Sequence, residues 1–186
     1  MTQLMMPTNQ QIINEAIRQI HADGYEKISL RQLAKQVGLT TGAFYKHFNS
    51  KAALFKEVTV ILSGDLATEV TPRLDLSASP QSQLLQMADW LMQKFQTDAH
   101  TMDFLFFNPV AQRLLSHPAA SDQFSFYQLT TGLIDQLKPQ YPKLDSQRLF
   151  IQIWAFIQGY GLLIIKRVVP YEPDLLSSTL TALLKA

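Results

Sequence analysis

Six basic side chains stand between Lys27 and Lys56 (Lys27, Arg31, Lys35, Lys46, Lys51 and Lys56), with His47 and Tyr45 among them and no aspartate or glutamate. Guanidinium, ammonium, imidazole and phenol groups all suit phosphate oxygens, and arginine can also grip guanine O6 and N7 with both arms. Beyond residue 60 the balance reverses, with nine Lys and Arg against eleven Asp and Glu. The net charge of +1 hides this division. A basic head on a slightly acidic body suggests that the head meets a polyanion and the body does something else.

Other chemistries find little support. There is no cysteine, which excludes disulfide scaffolds, thiolate metal sites and cysteine nucleophiles. The chain has no P-loop, no G-x-G-x-x-G turn after a strand and no H-E-x-x-H helix. His21, His47, His100 and His117 are scattered, and Asp98, His100 and Asp103 read as a solvated loop. No catalytic residue, metal or cofactor is expected.

The basic residues need elements to hold them, and Ser29 to Lys51, SLRQLAKQVGLTTGAFYKHFNSK, supplies a helix, a tight turn, a short helix and the start of a third. Ser29 with Gln32 has the spacing of a capping box. Leu30, Leu33, Ala34 and Val37 make one apolar face. Gly38 stands where a left-handed residue ends a helix at little steric cost. Thr40 or Thr41 can cap the next helix, through Phe44 to Phe48, and Ser50 the one after. Two helices joined by a short glycine turn describe a helix-turn-helix, which lays its second helix in the DNA major groove.

Before this stretch, Thr8 with Gln11 predicts a capping box on a helix bearing Ile12, Ile13, Ala16, Ile17 and Ile20. After it, a helix from Ser50 reaches about Glu69, and 72–80 reads as a linker. Helices follow over 81–97, in two short pieces across 100–118, over 121–137, over 146–169 and over 173–185. No segment alternates with period two, so the fold is expected to be all-α: an N-terminal helix-turn-helix domain, 1–50 with the connecting helix 50–70, then a helical-bundle domain over 71–186. Leu149 to Ile165 is nearly all apolar, but it is short for a span of roughly 17–25 residues and carries two glutamines and two glycines. It reads as the buried centre of a bundle or half of a dimer seam, not a membrane segment. The first residues lack the basic start and apolar run of a signal peptide, so a cytoplasmic location is expected.

GLTTGAFYKHFNSK at 38–51, followed by AALF, resembles the helix-turn-helix signature of the TetR family of bacterial transcription regulators. The preceding S-L-R-x-L-A helix is similar too, and the likeness covers residues 8–62. Trp154 to Gly159 resembles a W-x-x-x-H-G pattern of some members, with Gln158 where they carry histidine. The resemblance implies that Arg31 reaches a base edge. Thr40, Thr41, Gly42 and Ala43 would begin a recognition helix close to the groove, and Tyr45, Lys46, His47 and Lys51 would hold phosphates. It implies a homodimer joined through the last two long helices on a pseudo-palindromic double-stranded DNA operator, and a repressor released by a small molecule. A largely apolar or aromatic effector would meet Trp90, Phe104, Phe107, Phe124, Tyr127 and Trp154, with Gln158 as a polar handle. The competing expectation is a helical small-molecule-binding or protein-interaction module without specific DNA binding.

Overall fold

The computed structural model describes residues 6–115 and 123–185. The described residues form helices and turns without a strand. His117, Pro118 and the start of the helix expected from Ser121 lie outside them. Helices α1 (Thr8–Asp23), α2 (Leu30–Gln36), α3 (Thr41–His47) and α4 (Lys51–Val70) make the head and the helix leaving it. The body follows as α5 (Pro80–Thr97), α6 (Ala99–Phe107), α7 (Pro109–Leu115), α8 (Ser125–Asp135), α9 (Ser146–Ile165) and α10 (Pro173–Lys185). Single 3-10 turns stand at Tyr25–Lys27 and Thr71–Arg73, the latter where Pro72 ends the α-helical pattern.

In the head, Ile12, Ala16, Ile20, Leu33, Phe44 and Leu54 are fully or almost fully buried against one another's helices. The body layers α5 against α8, α9 and α10, while α4 lies along α7 and α8. Head and body share one continuous apolar core, because α1 and α4 both pack on α6. Phe104 of α6 is completely buried between Tyr25 and Phe55, with ring centroids 5.8 and 5.1 Å away and near edge-to-face geometry.

Two capping expectations are corrected. Pro7, not Thr8, is the N-cap of α1, and the Gln11 side-chain amide donates instead to the Met6 carbonyl at 2.7 Å. Ser29 is the N-cap of α2, but its hydroxyl makes no capping bond; its carbonyl accepts from Leu33 N–H. Thr40 and Ser50 do cap, accepting from the amides of Ala43 at 3.1 Å and Ala53 at 3.0 Å. Helix α9 is also less buried than its composition suggests. It alone among the described helices is long and apolar enough to cross a membrane, yet only 28% of that stretch is covered by the rest of the chain.

Where α9 is covered, the fit is close. A Cβ on Gly161 would come within 2.7 Å of the Phe95 ring, which is fully buried and has nowhere to swing. Gly161→Ala should therefore cost about 1–3 kcal/mol in urea unfolding, as overpacked cores do. Gly132 of α8 faces open space, so Gly132→Ala should be neutral or stabilising by up to about 1 kcal/mol. Equal stability of the two variants would contradict the packing described.

Candidate nucleic-acid interface

The geometry of the short helix α3 is set from both ends. Gly38, at φ +73°, closes α2 with a Schellman pair: its amide donates to the Lys35 carbonyl and that of Leu39 to the Ala34 carbonyl. Thr40 then starts α3 in an extended conformation, so the chain turns within four residues. Phe44 and Phe48 point inward and are buried, anchoring α3 to the head core. The opposite face carries Thr40, Thr41, Gly42, Tyr45, Lys46 and His47, all exposed. Ala43 is half-buried. Nothing lies within 4 Å of a Cβ built on Gly42, so that edge of α3 is open to an approaching surface.

Tyr45 is 48% exposed and stands edge-on to Phe44, its centroid 6.0 Å away, which supports the ring while leaving the phenol outside. Arg31, in the first turn of α2, is exposed and makes no hydrogen bond or ion pair among the described residues. These side chains thus share the outer surface of one helix pair.

Lys51 differs. It is half-buried, its ammonium donates to the Ile28 carbonyl at 2.8 Å, and it lies 5.1 Å from the centroid of the Phe55 ring. Burial lowers its pKa from the ordinary lysine value, with Glu26 acting weakly the other way. Lys51 therefore ties the loop before α2 to the start of α4, and any phosphate it meets must share it with that carbonyl.

The aromatic residues expected around an effector do not converge on one space. Phe124, Tyr127 and Trp154 line a cavity of about 40 Å³, together with Phe106 and Phe126. That is room for about one water molecule, far below the few hundred cubic ångströms of a drug-sized ligand. Trp154 stacks on Phe106 at 5.1 Å and Phe150 at 5.7 Å. Gln158 donates to the Phe106 carbonyl at 3.3 Å. Phe104 belongs to the junction with the head, Phe107 packs by Phe95, and Trp90 tilts against Phe126 with the Lys94 ammonium 5.4 Å from its ring.

A polar knot that sequence reasoning missed joins head to body. The His100 ring nitrogen Nδ1 lies 3.1 Å from the His21 carbonyl, so it must carry the proton and donate. His21 Nδ1 lies 2.6 Å from the Thr101 hydroxyl and 3.5 Å from the Asp98 carboxylate. The partners stand about 80 positions apart, so no local pattern marks them.

Residues 12–58 match the family model described as bacterial regulatory proteins, tetR family. Over 82 residues, 44% of this chain, the sequence is 33% identical to the HTH-type transcriptional regulator SrpR of Pseudomonas putida. The chain covers only 38% of SrpR's own length. Among solved structures, the fatty acid degradation regulator FadR from Bacillus halodurans superposes with a TM-score of 0.69, at 18% identity, covering 98% of this chain and 97% of that one. Thermus thermophilus FadR in complex with lauroyl-CoA superposes at 0.62 and 16% identity, over 95% and 91%. At such identities the likeness is one of fold.

Replacing Lys51 with methionine keeps its apolar stem but removes the donor to Ile28. Lys51→Met should cost about 1 kcal/mol in chemical unfolding, whereas Lys46→Met, at an exposed position, should stay within about 0.5 kcal/mol. No difference between the two would remove Lys51 from the role of tie.

Proposed function

We propose that the chain, whose residues 12–58 match the model of the tetR family of bacterial regulatory proteins, is a ligand-responsive, DNA-binding transcription regulator. It acts as a cytoplasmic repressor that holds a pseudo-palindromic operator as a homodimer and lets go when a small molecule binds. Residues 1–50, with the connecting helix 50–70, read DNA, and residues 71–186 sense and dimerise. The observation that carries this reading is the outer face of α2 and α3, where acid-free, unpartnered donors project from a rigidly capped helix pair. Arg31 and the first turn of α3 contact bases, and Tyr45, Lys46 and His47 hold the backbone. Lys51 supports them chiefly by fixing Ile28.

The dimer reading rests on α9 and α10. Ile151, Ala155, Gly159, Leu162 and Leu163 are exposed along α9, and Leu175 and Ala182 along α10. Ile151 is 56% exposed, costly for an isoleucine unless another apolar surface covers it. The small residues between the large ones let helices approach closely. A second copy laying the same two helices here closes a two-fold four-helix interface. It also sets the separation of the heads against a groove repeat of roughly 34 Å.

Affinity for the DNA flanking its own gene should fall steeply as salt rises, the logarithm of the association constant decreasing by about 0.9 per phosphate neutralised for each tenfold rise in salt. Tyr45→Ala should weaken all sequences alike, while Arg31→Ala should cost about 1–3 kcal/mol and relax preference at one base pair. Absence of any salt-dependent specific complex would favour a binding module with no DNA partner. For the dimer, Leu162→Glu should sediment as a folded monomer; a persistent dimer would move the interface elsewhere.

A further inference from the structure

A cleft of about 680 Å³ opens at the seam between head and body, within the size range of small-molecule sites. One wall is the end of α1 with the 3-10 turn, Asp23 to Lys27, three residues ahead of α2. The other is the end of α5, the start of α6 and the chain leaving α9, Lys166 to Pro170. Its floor is apolar, with half-buried Ile165 and Val169 backed by buried Phe95 and Ile164, and its rim is charged.

The rim carries three cations, Lys27, Lys166 and Arg167, and three carboxylates, Asp23, Glu26 and Asp103. None of the six forms an ion pair within 4 Å among the described residues. Burial pushes the Asp103 carboxyl above its ordinary value; Lys166 offsets this in part, and Glu26 adds to it. A carboxylate so placed gains when a cation is brought to it. Arg167 sits at φ +56°, among the described residues the one non-glycine at positive φ. It occupies the left-handed position of a Schellman turn closing α9, where Arg167 N–H donates to the Ile164 carbonyl and Val168 N–H to the Leu163 carbonyl. Glycine or asparagine is the unstrained choice there, so backbone geometry does not account for an arginine. His100 adds a nitrogen: Nδ1 is committed to His21, and Nε2 has no partner among the described residues.

We infer that this seam cleft binds a small zwitterion, an ammonium and a carboxylate carried on a compact apolar body, as in an α-amino acid. A balanced rim disfavours a net ion of either sign and favours a dipolar occupant. Its ammonium meets Asp103 and Glu26, its carboxylate meets Lys166 and Arg167, and its apolar part covers Ile165 and Val169. The occupant touches head and body at once, beside the His21–His100 bond that joins them. That such binding reaches DNA affinity rests on the regulator reading above; the binding itself does not.

The test uses the full-length protein without DNA. Backbone amide NMR shifts are followed with phenylalanine and leucine, each beside its amine-only analogue (phenethylamine, 3-methylbutylamine) and its acid-only analogue (3-phenylpropanoate, 4-methylpentanoate). Shifts should centre on residues 23–27, 99–103 and 164–170, with at least one zwitterion binding about tenfold more tightly than both of its analogues. Arg167→Gly should weaken that zwitterion about tenfold with no loss of thermal stability, since it relieves the left-handed residue. Asp103→Asn should weaken the zwitterion but not the acid-only analogue. No shifts at the seam up to about 10 mM ligand, analogues binding as well as zwitterions, or shifts centred on Trp154 would each overturn the inference. Operator affinity measured with the same ligands tests the coupling separately. Binding at the seam with unchanged DNA affinity would leave the site standing and sever it from regulation.

Discussion

Phe104 is the point on which the arrangement of head and body depends. It comes from α6, deep in the body's sequence, yet it is completely buried between Tyr25 and Phe55, and those two rings are themselves 6.1 Å apart and nearly perpendicular. Edge-to-face pairs of this kind contribute about 0.5–1.5 kcal/mol each beyond the area they bury. Their larger effect is geometric. Because the 3-10 turn after α1, α4 and α6 meet at one ring cluster, the outer face of α3 has a defined direction relative to the body.

On that frame, the two faces with exposed and unpartnered groups have different chemistry. The α2–α3 face is basic and hydroxyl-rich, held by two caps and two inward phenylalanines. The α9–α10 face is apolar and dotted with small residues. The first suits a charged, hydrated polymer and the second a dry helix surface. Between them lies the seam, where polar contacts replace the aromatic packing and a cleft of mixed charge opens.

Much of the head was legible because its determinants are local. Gly38, Thr40 and Ser50 act within five residues of themselves, and their roles follow from backbone chemistry that a single sequence displays. Even there, Thr8 and Ser29 had capping spacing without capping bonds: Pro7 takes the N-cap place before Thr8, and Ser29 is the N-cap but its hydroxyl makes no capping bond. The basic window was equally plain, but not that Lys51 turns inward to Ile28, which required knowing that residues 23 positions apart meet. The body was legible as helices and not as a site. Trp154, Phe104 and Phe107 look alike as aromatic positions at helical spacing. Only tertiary packing sends one to a small cavity, one to the head junction and one beside Phe95. Helix α9 taught the same lesson in reverse, because an apolar composition does not say whether its partner is the same chain.

On the proposed function, a single face of the head meets DNA. Amide hydrogen exchange with and without the DNA flanking its own gene tests it most directly. Exchange should slow on DNA binding across the start of α2 at Arg31 and across residues 40–50, with the exposed α9–α10 face showing no direct footprint. Protection centred on the body, or none in the α2–α3 face while DNA is bound, would contradict it.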